Sequence, residues 1–272
     1  MTHPKDVVFQ LIGIIEQDIG KNLSMDKLSE LSGYSKWYFQ RLFYKYVAMN
    51  VGSYIRYRKL STAAIMLKQC KITISELAAI LGFSSHQSFT RSFQKFMGET
   101  PHKFRMNPIC DFSKLLPPLC EDAVLNYKFI SIPYCDYILE DYSFFLYQPL
   151  DKERLRRMKS KTCDLIPFEK HCNKVIQSSS VAVRMNEQPI QCFNRLEGVS
   201  FPFGKYLLIT YRGSFSGYYD FFNDVYNSHL PKIGVKVRSG LIVELYRKAV
   251  LSGNEIDIGV LIYLEGEPNA DD

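Results

Sequence analysis

Two short sets of side chains offer recognisable chemistry: Trp37, Gln40 and Arg41, and then Gln87, Thr90 and Arg91. An arginine fork pairs with O6 and N7 of guanine, and a glutamine amide pairs with N6 and N7 of adenine. A threonine or tryptophan meets the thymine methyl group. Taken singly, an arginine or glutamine here is better explained as part of a solvated helix face. Trp37 fits that explanation poorly, because an indole on a polar stripe normally has something to cover it. The arginine also recurs at the same place in two copies of one unit.

That unit occurs twice within the first 107 residues. LSELSGYSKWYFQRLFYKY (Leu28 to Tyr46) returns as LAAILGFSSHQSFTRSFQKF (Leu77 to Phe96). Leu28, Leu31, Gly33 and Tyr34 match Leu77, Ile80, Gly82 and Phe83 at an offset of 49 residues. Arg41, Phe43, Lys45 and Tyr46 match Arg91, Phe93, Lys95 and Phe96 at an offset of 50, so the second copy has one extra residue in or after its turn. A short helix, a glycine turn and a second helix with a polar outer face make a helix-turn-helix. Two in tandem imply one chain that reads two successive major grooves of double-stranded DNA.

The helix signals agree. Ser24 is placed to cap MDKLSELS, Gly33 to end it with a positive φ, and Ser35 to cap the next helix. Thr73 with Glu76, and Ser84 with Gln87, have capping-box spacing. Phe39, Leu42, Phe43 and Tyr46 share one face, and Trp37, Gln40, Arg41 and Tyr44 the other. In the second copy Phe89, Phe93 and Phe96 are expected inward, and Gln87, Thr90, Arg91 and Gln94 outward. Between the copies, Val51 to Gln69 has helical periodicity and no proline. At 1.5 Å per residue it spans roughly 27 Å, a length suited to holding two recognition helices about one duplex turn (~34 Å) apart.

Charge divides the same way. Residues 1–107 hold 15 Lys and Arg against 7 Asp and Glu, whereas the remainder holds 19 against 21. A basic part joined to a slightly acidic one fits a phosphate-binding domain attached to something else. Lys36, Lys45, Lys95, Lys103 and Arg105 are candidate phosphate contacts; each alone is better explained as an ordinary surface charge.

Residues 108–126 contain Pro108, Pro117 and Pro118, lack a clear period, and are expected to form a linker. A second domain is expected over 127–272. Lys128 to Leu139, Ser143 to Tyr147, Phe203 to Tyr211, Leu241 to Tyr246 and Glu255 to Leu264 have strand composition, with a helix over Tyr218 to Tyr226. That order predicts an α+β domain with an antiparallel sheet. Asp151 to Lys161 is a charge run, best read as a solvated helix face.

The first 107 residues resemble the AraC/XylS family of bacterial transcription regulators, and within it the MarA/SoxS/Rob branch. The stretches SGYSKWYFQRLF and TRSFQKFMGETPHKFR, and the spacing between them, carry the resemblance. It implies that Trp37, Gln40 and Arg41 contact bases from one helix and Gln87, Thr90 and Arg91 from the other, with Lys36 and His86 beside them. His86 stands where close relatives carry glutamine. That departure bears on the preference of the second half-site, and His86 equally suits a phosphate-facing position. The C-terminal part resembles the GyrI-like, effector-binding domain of Rob-type regulators, over GVSFPFGKYLLITYRGSFSGYYDFFNDVY, LIVELY and EIDIGVLIYLE. Such domains form two strand-helix-strand-strand repeats with a cleft between them, and bind amphipathic or cationic aromatic compounds. Residues 108–272 hold 23 of the 38 aromatic residues, enough to line such a cleft. Glu244, Tyr246 and Tyr206 are its candidate ligand contacts; Glu244 would meet a cationic ligand, since a buried carboxylate needs a partner. Strand alternation towards solvent is the plain alternative for Glu244.

The expectation is therefore two domains, an all-α tandem helix-turn-helix followed by an α+β GyrI-like domain. Together they form a sequence-specific regulator, an activator, with RNA polymerase as protein partner and a small-molecule sensor attached. Two other roles remain open for the C-terminal part: hydrolysis of a reactive small molecule, which needs a carboxylate base beside a tyrosine, or contact with another protein. No phosphate loop or nucleophile elbow is present, so no catalytic residue, cofactor or enzymatic activity is expected. Seven cysteines, odd in number and never spaced as CxxC, fit a reducing cytoplasm, and the DNA-binding reading places the protein at the nucleoid there. Cys163, His171 and Cys172 do not match a zinc spacing, and no apolar run approaches the ~20 residues that span a bilayer.

Overall fold

The computed structural model describes residues 3–17, 19–21, 23–69, 72–119, 125–132, 135–136, 140–143, 181–185, 200–201, 204–214, 217–246 and 255–266. The chain divides into two compact units. One comprises Met1–Leu67, Lys71–Asn107 and Ser113–Ala123; the other comprises Lys68–Cys70, Pro108–Phe112 and Val124–Asp272.

The first unit is helical. Its elements are α1 (Pro4–Gln17), α2 (Met25–Ser32), α3 (Lys36–Val47), α4 (Val51–Gln69), α5 (Ile74–Ile80), α6 (His86–Met97) and α7 (Pro101–Met106). The caps follow the side chains. Ser24 Oγ accepts from Lys27 N–H at 3.2 Å, and Gly33 closes α2 with φ 68°. Thr73 and Glu76 form a reciprocal capping box, and the Thr73 hydroxyl and N–H hold the Glu76 carboxyl below the usual carboxylate range.

One expected cap is displaced. The residue that caps α6 is Ser85, in extended conformation, with its Oγ accepting from Ser88 N–H at 3.1 Å. The reason lies in the two turns. Gly33 stands two residues before its cap Ser35, and Gly82 stands three before Ser85. Ser84 is thus the extra residue of the second copy, and it lies outside the capping position that its spacing to Gln87 suggested.

α1 lies outside the repeat and no motif marks it. Its apolar stripe, Val8, Leu11, Ile12 and Ile15, joins Leu28, Phe39, Leu42, Phe43, Val51 and Tyr54 in one core. α4 shows little segregation of apolar from polar residues because its later turns are buried nearly all round, including Arg58, Lys59, Ser61, Lys68 and Gln69. Arg58 is compensated. Its Nε and Nη2 donate to the Glu16 carboxylate at 2.8 and 2.9 Å, and Tyr54 Oη donates to the same carboxylate at 2.7 Å. Burial, reinforced by the Glu16 charge, pushes the Tyr54 hydroxyl far above its ordinary range, so the proton stays in place as a donor.

The segment expected as a linker carries short elements. Ile109–Asp111 is a strand, β1, and Phe112–Lys114 is a 3-10 turn. Leu116 N–H donates to Ser61 Oγ at 2.8 Å and Leu119 N–H to Tyr54 Oη at 3.2 Å. These backbone groups are satisfied by side chains of α4, an arrangement that leaves no periodic signature.

The second unit is built on a sheet. Its strands are β2 (Tyr127–Ile132), β3 (Cys135–Asp136), β4 (Glu140–Ser143), β5 (Val181–Met185), β6 (Ser200–Phe201), β7 (Gly204–Ser214), β8 (Lys236–Tyr246) and β9 (Glu255–Leu264). The main sheet runs β2-β7-β9-β8-β5-β4, with β1 also on β8 and a separate β3–β6 pair. Among the described strands every pairing is antiparallel except β4 with β5, which is parallel. Parallel neighbours need a long crossover, and 37 residues separate these two. The central strands are buried: Tyr206, Leu207 and Ile209 of β7, and Val260, Leu261 and Ile262 of β9. Between β7 and β8 the chain is helical over Gly217–Asp224 (α8), a π-helical turn at Val225–His229, and Leu230–Ile233 (α9). An aromatic run seats α8 on β7: Tyr211 lies 5.3 Å from Tyr218 and 4.7 Å from Phe221, between ring centroids. The charge run Asp151 to Lys161, and Cys163, His171 and Cys172, lie outside the described residues.

Candidate nucleic-acid interface

α3 and α6 each separate a buried stripe from a polar face. In α3, Phe39, Leu42 and Phe43 are buried, and Phe39 and Phe43 meet edge to face at 5.9 Å. Lys36, Trp37, Gln40 and Arg41 are all exposed on the outer side. Trp37 is 67% exposed, an indole that the described core leaves uncovered. The Arg41 guanidinium carbon lies 5.5 Å from the Trp37 ring centroid, one helical turn away. This cation–π contact holds the planar donor fork over the indole ring. Tyr44, 62% exposed, extends the same stripe.

In α6, Phe89, Phe93 and Met97 are buried, and Phe89 packs on Phe83 at 5.2 Å and on Phe93 at 5.6 Å. His86, Gln87, Arg91 and Gln94 are exposed. Thr90 differs from the rest of its set. It is half-buried, and its Oγ1 is shielded without a hydrogen-bond partner, because its position borders the Phe89 stripe.

One charged neighbour carries no sequence signal. Asp26, in the first turn of α2, forms an ion pair with Lys36 at the start of α3. The pair joins two helices across a turn, so no i, i+4 pattern marks it.

For the second unit, Tyr206 is fully buried, edge-on to Tyr263 at 5.1 Å, and offers no open surface. Glu244 and Tyr246 lie in β8, but their side chains are outside the described residues. The Glu244 backbone is registered opposite Val260 of β9 and Ala182 of β5. Cys110 is buried, and burial pushes its thiol up to about 12. Among the described residues no group of three or more His, Cys, Asp or Glu could hold a metal ion. No helix among them is long and apolar enough to cross a membrane.

A family model described as a helix-turn-helix domain matches residues 28–107, the span of both repeats. The multiple antibiotic resistance protein MarA of Escherichia coli is 40% identical over 112 residues, which is 41% of this chain and 88% of MarA. The chain belongs to the AraC family. It is a DNA-binding transcription regulator of the AraC/MarA type. Two further relatives align with nearly the whole chain. The F1 operon positive regulatory protein of Yersinia pestis is 29% identical over 268 residues, 92% of this chain and 85% of its own. The right origin-binding protein of Escherichia coli is 26% identical over 262 residues, 89% of this chain and 91% of its own. The similarity of this AraC-family chain thus extends past the helical unit into the sheet-bearing one.

Proposed function

We propose that this regulator reads two successive major grooves with one chain, α3 in one and α6 in the next, and that the sheet-bearing unit senses a small molecule. The observation that carries the DNA reading is the uncovered Trp37–Arg41 pair on α3, facing the same way as Gln40. In this reading Trp37, Gln40 and Arg41 contact bases in the first groove. Gln87, Thr90 and Arg91 contact them in the second, with Thr90 offering its methyl group. Lys36 and His86 flank the two sets at the phosphates. The domain limits follow as 1–107 for DNA binding and 127–272 for sensing. Activation with RNA polymerase as partner fits a relative whose name is a positive regulatory protein, and action in the cytoplasm at the nucleoid follows from the DNA target. A duplex carrying one site should take up one chain in sedimentation; two chains per site would contradict the reading.

The sensor reading rests on the resemblance to GyrI-like domains. It is supported by the strand-helix-strand-strand order of β7, the α8–α9 helical run, β8 and β9. Glu244 and Tyr246 are proposed at the ligand, and Tyr206 belongs to the core. An apolar or amphipathic compound is the expected class, and a cationic aromatic one gains from Glu244. Titration calorimetry of the full chain with a bile salt, a medium-chain fatty acid and a cationic dye tests this. Cationic ligands should bind more tightly than neutral isosteres, and Glu244→Gln should erase most of that difference. Silence across the panel would favour a protein-contact role for this unit.

A further inference from the structure

The ion pair between Asp26 and Lys36 occupies the edge of the DNA-reading surface. Lys36 is the first residue of α3, directly after the cap Ser35, and Trp37 follows it. Asp26 is the second residue of α2, after the cap Ser24. Both side chains stay open to solvent, at 55% for Lys36 and 76% for Asp26, so the carboxylate is free to be exchanged for another anion. The neighbouring cation Lys27 is engaged with Glu30 at 3.0 Å.

The second reading unit lacks this device. The residue equivalent to Asp26, second after the cap Thr73, is Ser75, and the residue equivalent to Lys36, first after the cap Ser85, is His86. Two units of one repeat therefore differ at both members of the pair. The first has a permanent cation held by an internal carboxylate, whereas the second has an uncharged hydroxyl and an imidazole.

We propose that Asp26 is an intramolecular competitor for the phosphate contact of Lys36, and so a residue that sets the DNA affinity of the first reading helix. The inference rests on the proposed placement of Lys36 at the DNA backbone. A phosphate oxygen and a carboxylate oxygen bind an ammonium in the same way. Docking of α3 on DNA must therefore replace one anion by the other, and leaves the Asp26 charge near the phosphates without its partner. The resulting penalty carries no sequence information, because backbone contacts position the protein and do not read bases. It acts equally on specific and random DNA and sets the overall affinity instead of the preference.

Fluorescence anisotropy of the full chain on a labelled duplex tests this in a cycle of four proteins: wild type, Asp26→Asn, Lys36→Ala and the double variant. Asp26→Asn should tighten binding about two- to fivefold at low salt, the size expected of one exposed ion pair. The gain should be the same on specific and random duplexes and should shrink as salt rises. In the Lys36→Ala background the same substitution should change little. An equal gain in both backgrounds would mean general repulsion by Asp26 and would overturn the competition. Weaker binding by Asp26→Asn would also overturn it, since Asp26 would then be holding Lys36 in place for DNA. If Lys36→Ala itself leaves affinity untouched, the placement of Lys36 at phosphate fails first. Circular dichroism of Asp26→Asn, expected to match wild type, keeps a folding defect separate from these outcomes.

Discussion

Replacement of Glu16 by alanine should cost the helical unit about 3–5 kcal/mol, the usual penalty for removing one partner of a buried ion pair. Arg58 is 3% exposed in its side chain and Glu16 is 12% exposed. Without the carboxylate, the buried Arg58 guanidinium loses two hydrogen bonds and the Tyr54 hydroxyl loses its acceptor. The damage should spread, because Arg58 also donates to the Leu116 carbonyl and Tyr54 Oη accepts from Leu119 N–H. Hydrogen exchange of α1 and α4 amides in urea gives the measurement. Glu16→Gln should lose less, since an amide oxygen still accepts one of the bonds. Equal stability of Glu16→Ala and wild type would show that water compensates Arg58.

The second large effect concerns the arginines. Arg41→Ala and Arg91→Ala should each weaken specific binding by about 1–3 kcal/mol and relax the preference at one cluster of bases. Arg41→Ala should do more harm. Its guanidinium also packs over Trp37, so its loss frees the indole as well as a base contact. Selection of binding sites from a random pool by each variant reads both effects. Equal losses on specific and random DNA would make the arginines phosphate clamps instead.

The helical unit was largely legible because its signals are local. Ser24, Gly33, Ser35, Thr73 and Glu76 act within four residues of themselves, and the Phe39, Leu42 and Phe43 stripe repeats at helical spacing. α4 has the bounds expected from its periodicity, Val51 to Gln69. The misplaced cap had a local cause too: with Ser84 and Ser85 adjacent, spacing alone does not say which one the inserted residue is. What stayed hidden depends on distant partners. The Glu16–Arg58 pair spans 42 residues. Leu116 and Leu119 are ordered by side chains of α4, so a segment with Pro117 and Pro118 reads as a linker. The Asp26–Lys36 pair crosses from one helix to the next. Thr90 shows the limit of a helical wheel: one position beside Phe89 is enough to bury its hydroxyl. In the sheet, strand composition located β7, β8 and β9. The parallel β4–β5 pair depends on a crossover that no local pattern describes.

The central claim is that one chain places α3 and α6 in two adjacent major grooves. Hydroxyl-radical and methylation footprinting of a duplex with a single site, bound by the full chain, tests it most directly. The account predicts two protected windows on one face of the duplex, about 10 base pairs apart. Arg41→Ala should weaken only one window and Arg91→Ala only the other. A single protected groove, or two windows that each fade equally with either substitution, would contradict it.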